Sequence, residues 1–298
     1  MDKEIQFKIE NNREICQELW EKFSPRVYVY DNWDFRECFN RQTNYPLNFV
    51  VGFYKEKPIG ILPLEYDTDN KCYEFFGDIF MEYNRAFLAP DFLDCKAKFY
   101  EAVPLPAELQ MMSEEEAPDL KCEPEILTYY LDISNMNFLD DYFRNYFNSK
   151  RRGDFLRAMK KIEALEPEVR YNNLADLDVL FDLNQKRFKE ESTFTRENDK
   201  KFFRDLLKTN LDFEILSVVI NGKIVAASFS IYYNGRYEYL ANGADVENYP
   251  FVGTYLNLMS IKRAIEKKMT VIDFGYGEAG WKDLWHLPKK SLYCSIKK

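Results

Sequence analysis

The sequence predicts a mixed α/β protein built from two tandem units, and three observations carry that prediction. Two strand meanders repeat: "FVVGFYKEKPIGILPL" begins at Phe49 and "ILSVVINGKIVAASFS" at Ile215, an offset of 166 residues. Both read strand, tight turn, strand, with Lys57 and Lys223 at the same point and small residues (Gly60, Ala226) three beyond. Self-similarity of this kind is the mark of a duplicated unit. Each meander is preceded by two helical patterns with apolar residues at three- and four-residue spacing. Finally, 298 residues are many for one core and comfortable for two. The boundary is expected near residues 135–150, giving an N-terminal unit over 1–140 and a C-terminal unit over 141–298, each of ordinary domain size.

The elements follow in order. "NREICQELWEKF" and "WDFRECFNRQ" open the chain as helices. "NFVVGFY", "PIGILPLEY" and "KCYEFFG", separated by the polar turns "KEK" and "DTDN", read as three strands. Residues 104–125 carry four prolines and an acidic run, and the sequence predicts a solvated loop there. After the strand "ILTYYLDI" come the helices "NFLDDYFRNYFN" and "SKRRGDFLRAMKKIEAL", the strand "VRYNNL" and two more helices, "LADLDVLFDLNQKRFKEE" and "ENDKKFFRDLLKT". The second meander, "FEILSVVI", "IVAASFSIYY" and "YEYLANG", has Asn-Gly at both turns, where two successive residues need positive φ. The helix "TYLNLMSIKRAIEKK" and the strand "TVIDF" lead into "DFGYGEAGWKDLWH", a stretch with two glycines, an acid, aromatics and a lysine.

Composition narrows the function. The formal net charge of −9 repels nucleic acid and anionic membrane over the surface as a whole. No DNA partner is expected. Six dispersed cysteines without a CxxC pair, and a single histidine, argue against a zinc site and a disulfide framework, and fit a reducing compartment. No metal is expected. The N-terminus has no apolar signal core and no run approaches the ~20 apolar residues of a membrane span, so the chain reads as cytosolic. No GxSxG, no GKS/T loop and no Cys/His pair with family context is present. The G-x-G at Gly275–Gly277 follows a strand but lacks the third glycine of a dinucleotide fingerprint.

The order helix–helix–strand–strand–strand–helix–strand resembles the GNAT acyltransferase fold. In the second half, "NGKIVAASFSIYYNGRYEYLANG", then "YPFVGTYLNLMSIKRAIEKKMTVIDFG", then an acid and a Trp-Lys pair, is similar to the BioF2-like acetyltransferase domain of cellulose and exopolysaccharide synthesis. That family is related to the FemA/B/X aminoacyltransferases of cell-wall synthesis. The basic helix "KRRGDFLRAMKK" and the phrase "GILPLEY…FFGDIFMEY" resemble it too. The resemblance implies two tandem GNAT-like units in a FemX-like arrangement. The implied activity is acyl transfer from acetyl-CoA or another acyl-CoA to an amine on a small molecule, an amino sugar or a cell-envelope precursor. Aminoacyl-tRNA is the alternative donor, and a degenerate GNAT scaffold acting as a binding protein is the alternative of another class.

The resemblance also assigns residues. The loop "YPFVGTYL" corresponds to the one that holds the pyrophosphate of acyl-CoA. Phe251, Val252, Gly253, Thr254 and Tyr255 would present backbone N–H groups at a helix N-terminus. Only Gly253 remains of the family's richer glycine pattern, and the plain reading is a helix capped by Thr254. Asn242, before Gly243, marks where the central strand loosens to admit a thioester, and Tyr239 would line the acceptor pocket. Removing a proton from the acceptor ammonium requires a base, for which Glu278 or Asp273 is available; Tyr276 would protonate the leaving sulfur. Lys282 resembles the acceptor-site lysine of FemX-like enzymes. Alternatively Asp273 caps the loop, Lys282 pairs with Glu278 and Trp281 packs the sheet end. Arg151 and Arg152, in the cluster Lys150, Arg151, Arg152, Arg157, Lys160 and Lys161, are substrate-side candidates together with Trp281; a solvated helix face is the plain reading of that cluster. The first half lacks a cofactor loop, because "FFGDIFMEYN" is not followed by strand, glycine turn and helix.

Overall fold

The computed structural model describes residues 4–77, 80–119, 122–277 and 280–298. In chain order the elements are β1 (Gln6–Glu10), α1 (Arg13–Phe23), α2 (Trp33–Thr43), β2 (Phe49–Tyr54), β3 (Lys57–Leu62), β4 (Leu64–Asp67), β5 (Cys72–Phe75), β6 (Phe87–Leu88), α3 (Lys96–Glu101), β7 (Ala107–Met112) and β8 (Glu123–Asp132). There follow α4 (Leu139–Tyr146), α5 (Ser149–Glu163), β9 (Glu168–Tyr171), α6 (Asp176–Phe188), α7 (Glu197–Leu206), β10 (Asp212–Ile220), β11 (Lys223–Tyr233), β12 (Arg236–Ala244), α8 (Val252–Glu266), β13 (Val271–Tyr276), α9 (Trp281–Leu284) and β14 (Lys289–Lys297).

The chain divides into two compact units. The first holds the described residues up to Thr128, with 276–277 and Lys289–Lys298; the second holds Tyr129–Gly275 and 280–288. The division falls inside β8, and the C-terminal strand β14 returns to the first unit, where it pairs antiparallel with β7.

Both units repeat one topology. In the first, β1-β2-β3-β6 form a sheet, with α1 and α2 between β1 and β2. In the second, β9-β10-β11-β12 are neighbours in that order, with α6 and α7 between β9 and β10. The hairpins share an irregularity: β2 slips register at Gly52/Phe53, and β10 slips at Val218/Val219, the same 166-residue offset. A bulge bends its strand and raises local twist, so a shared bulge is a shared shape. The second-unit turns are as the Asn-Gly pairs demand, with positive φ at Asn221, Gly222, Asn234 and Gly235. At the equivalent first-unit turn Lys55 and Glu56 take positive φ without a glycine.

Three readings are corrected. Residues 104–125 are not a solvated loop: Ala107, Leu109, Met111 and Met112 are buried in β7, which pairs with β14 and, in parallel, with β5. Pro104 and Pro106 lie before this strand, where a missing N–H costs nothing, and the acidic run, Pro118 and Pro124 lie after it. "PIGILPLEY" is two strands, because Pro63 breaks it; β3 stays with β2, and β4 turns to pair with β5. The segments Gln6–Glu10 and Lys289–Lys297, both half-exposed at most positions, are strands without a long apolar run to announce them.

Apolar residues hold each unit. In the first, Trp20 packs edge-on against Phe87 at 4.8 Å, Phe76 at 5.7 Å and Trp33 at 5.9 Å. In the second, Phe181, Phe194, Phe203 and Phe229 join α6 and α7 to the sheet, with centroids 4.4–5.2 Å apart along the chain of contacts. Fully buried side chains of this size contribute about 1.5–3 kcal/mol each.

Candidate functional site

The site is assembled in the second unit where two neighbouring strands part. β12 and β13 pair in parallel at Arg236↔Val271, Tyr237↔Ile272 and Glu238↔Asp273, and the pairing ends there. One residue further, β12 carries a bulge against β11: Phe229 faces Ala241 and Ser230 faces Tyr239, which leaves Leu240 as the extra residue. A bulge disrupts the ladder locally and re-aims backbone groups. Beyond it α6 takes over as neighbour. Asn184 Nδ2 donates to the Asn242 carbonyl at 2.6 Å, and a Cβ on Gly243 would lie 2.5 Å from the Asn184 backbone nitrogen. The glycine is therefore required for close backbone approach, with α6 taking the side of the strand that faces away from α8.

The chain then turns into α8. Asp245, buried at 4% exposure, organises this turn: it accepts from Asn248 Nδ2 at 2.9 Å, Lys186 Nζ at 3.1 Å and Lys223 Nζ at 3.4 Å. Burial by itself raises the Asp245 carboxyl, but the bonds from Asn248 and Lys186 outweigh it and bring it down to about 2. A carboxyl lowered on folding contributes stability above its ordinary value, and that contribution is lost as pH falls through its folded one. Acid unfolding of the wild type is therefore expected to steepen between about pH 4 and pH 2. Asp245→Asn is expected to remove that component, as followed by circular dichroism; an unchanged acid transition would contradict the assignment.

Phe251 occupies the N-cap of α8 with φ 75°, and no side chain caps the helix. Left-handed backbone is unusual for a bulky residue and costs on the order of 1–3 kcal/mol. Thr254 stands in the first turn and does not cap it. Val252 N–H donates to Tyr249 O at 3.1 Å and Tyr255 N–H to Phe251 O at 2.9 Å. The N–H groups of Gly253 and Thr254 have no acceptor among the described residues. These two donors and the positive end of a 15-residue helix point out beside Ala244, whose Cβ would lie 3.6 Å from a Cβ on Gly253. That distance is ordinary contact, so the fold itself does not require glycine at 253. Val252 and Tyr255 are buried. Lys161 of α5 places its ammonium 4.7 Å from the exposed Phe251 ring, so a cation stands at this helix end.

Aromatic contacts bring α9 to the same place. Tyr239 lies against Phe274 at 5.6 Å, Phe274 against Trp281 at 5.8 Å, and Trp281 against Trp285 at 5.5 Å, all edge-on. Tyr239 is buried, its hydroxyl donates to Asn257 Oδ1 at 2.9 Å, and burial pushes its phenol well above the ordinary tyrosine range. Lys282 is 5% exposed; its Nζ donates to the Gly275 carbonyl at 2.8 Å and stands 5.0 Å from the Tyr129 ring.

The remaining candidates separate. Asp273 is 2% exposed, pairs with Arg236 Nη2 at 2.7 Å and accepts from the Gly275 N–H at 2.8 Å, while Arg236 Nε also binds Glu238 at 2.7 Å. These partners make Asp273 a clamp on the paired end of β12 and β13, and they include the loop-capping bond. Glu278 lies outside the described residues. Tyr276 closes β13, and its N–H donates to Glu82 Oε1 at 3.3 Å within the first unit. Arg151 reaches the Leu284 carbonyl at 3.3 Å and covers the Phe155 ring, tying α5 to α9. Arg152, Lys150 and Lys160 have no ion-pair partner among the described residues. His286 stacks on Phe147 at 5.0 Å and meets the Tyr146 carbonyl at 2.9 Å. Asn184, Asp245, Asn257 and Arg236 are components that the sequence reading missed. Single polar residues inside helices and strands carry no local signal. Among the described residues no group of three His, Cys, Asp or Glu side chains is placed to hold a metal ion, and no helix is long and apolar enough to cross a membrane.

Comparison with known proteins places this fold among related ones. Residues 149–283 match the family model described as an acetyltransferase (GNAT) domain. The match lies in the second half and covers just under half of the chain. Its fold is that of the tandem, FemX-like members. The crystal structure of FemX superposes with a TM-score of 0.61 at 12% identity, over 98% of this chain and 97% of that one. L-PGS from Bacillus licheniformis gives 0.60 at 12% identity, over 97% and 93%. A tandem GNAT protein from the clavulanic acid biosynthesis pathway gives 0.55 at 8% identity, over 98% of each chain. No curated protein matches the sequence significantly.

Proposed function

We propose that the protein is an acyl-CoA-dependent N-acyltransferase whose cofactor site lies wholly in the second unit, at the end of β12 and the N-terminus of α8. The observation that supports this most is the succession of three features within 17 residues: pairing to β13 ends at Glu238, Leu240 bulges, and α8 begins with free N–H groups at Gly253 and Thr254. The parted strands leave room for the extended arm of the donor, and the uncapped helix end suits its pyrophosphate. An acyl-CoA would bring the activated thioester. The backbone at the bulge would donate a hydrogen bond to the thioester oxygen as negative charge develops there. The neutral phenol of Tyr239 and the ammonium of Lys282 would sit on the acceptor side, and Lys282 would counter negative charge on the acceptor or the oxyanion. Asp273 holds Arg236 and keeps the strand fork in shape. The motifs "YPFVGTYL" and "GEAGWK" favour the BioF2-like branch and an amine acceptor in the cytosol. In this reading the first unit holds no cofactor: β6 is followed there by a 3-10 turn over Pro90–Cys95 and the six-residue α3.

The unpaired cations Lys150, Arg152 and Lys160 on α5 favour a second reading, aminoacyl-tRNA as donor. Turnover with acyl-CoA in the absence of RNA distinguishes the two.

Thr254→Glu tests the cofactor site. A carboxylate in the first helical turn complements the helix dipole, so thermal stability is expected to hold or rise. The same charge opposes a bound pyrophosphate, and calorimetry is expected to show acetyl-CoA affinity at least about tenfold weaker, on the order of 1.4 kcal/mol. Unchanged affinity in a folded variant would exclude this helix end as the site.

A further inference from the structure

A cavity of about 370 Å³ lies within the first unit, lined by Asn11, Leu47, Asn48, Tyr66, Tyr73 and Pro106 among others. Its volume is at the lower end of the range for small-molecule sites. Tyr66 and Tyr73 stand directly opposite each other on the hairpin β4–β5, with ring centroids 5.0 Å apart and planes inclined at 59°. Two half-exposed aromatic faces therefore open into one cleft. Their hydroxyls, the Oδ1 of Asn48 and the side-chain amide of Asn11 have no protein partner among the described residues; Asn48 uses only its Nδ2, on the Pro46 carbonyl at 3.0 Å. Among the described residues no charged side chain lines the cavity.

The geometry points to a binding site for a neutral, hydroxyl-rich ring, a saccharide unit. Tyrosine offers an apolar face for ring C–H groups and a hydroxyl for hydrogen bonding, while amides both donate and accept. Phosphorylated or carboxylated ligands would meet no counter-charge. An extended peptide added to the edge of β4 is disfavoured, because that edge is already taken: Asn48 N–H donates to Leu64 O at 2.8 Å, Tyr66 N–H to Pro46 O at 3.0 Å, and Leu47 bridges to Glu65. All of these residues belong to the first unit, so the site stands or falls apart from the acyltransfer reading.

Saturation-transfer NMR on the full chain tests it, with cellobiose and N,N′-diacetylchitobiose as probes and tetra-alanine as the peptide comparator. Transfer to sugar ring protons is expected, with affinity falling about tenfold in Tyr66→Ala and Tyr73→Ala. Tyr66→Phe and Tyr73→Phe keep the packing and are expected to fall by about threefold; they decide the matter if the alanine variants do not fold. Absence of transfer from both sugars, transfer unaffected by every variant, or preferential binding of the peptide would overturn the proposal.

Discussion

Replacing Lys282 by methionine is expected to lower turnover by about 100-fold or more, the usual effect of deleting one group that counters charge in a transition state. Lys282 is buried, and its ammonium has the Gly275 carbonyl at 2.8 Å and the Tyr129 ring at 5.0 Å. Holding a charge in such a place costs desolvation energy that a packing role alone does not need. Methionine preserves the stem and removes the charge, so the Gly275 carbonyl loses a donor and stability falls by about 1–3 kcal/mol. The two effects separate the roles. A variant that loses this stability yet turns over acyl-CoA at the wild-type rate would make Lys282 a strut for Gly275 and nothing more. Lys282→Arg, which keeps the charge on a bulkier head, is expected to be intermediate in rate.

Gly243→Val is expected to be the most damaging single substitution for the second unit. The new Cβ would sit 2.5 Å from the Asn184 nitrogen and 2.8 Å from the Leu183 carbonyl carbon, both backbone atoms of α6. Backbone cannot rotate away as a side-chain tip can, so helix and strand must separate. That separation breaks the 2.6 Å bond from Asn184 to Asn242 and opens the Phe181–Phe194 core beneath α6. Overpacking of this kind costs about 3 kcal/mol or more, a fall in melting temperature of roughly 10 °C. A scan by differential calorimetry checks it, and an unshifted transition would show that α6 moves freely. Gly253→Ala is the matched control: its Cβ meets only ordinary contacts, so the same scan should show little change.

These two glycines show which parts of the protein the sequence made legible. Asn-Gly turns state their conformation locally, and the two second-unit hairpins were readable residue by residue. The 166-residue repeat was readable as well, whereas the bulge that its two hairpins share is seen only in the structure. Strands such as β7 and β14 were not. They mix buried and exposed residues over short spans, flanked by proline, acid or lysine, and they are strands because of the neighbours they pair with. The site divides in the same way. The α8 loop and Lys282 are candidates because order along the chain nominates them. Asp273 is a candidate base because a carboxylate stands at a strand end; its pairing with Arg236, 37 residues earlier, has no local signal. Gly243 and Asn184 depend on a close approach between elements that no local pattern encodes.

The central claim is that one helix end, in the second unit, receives the donor's pyrophosphate. A crystal of the full chain soaked with CoA tests it most directly. The expected density lies against the N–H groups of Gly253 and Thr254, with the pantetheine arm between β12 and β13 beyond Glu238. CoA bound in the first unit, or crystals of intact protein that remain without CoA at saturating concentration, would contradict it.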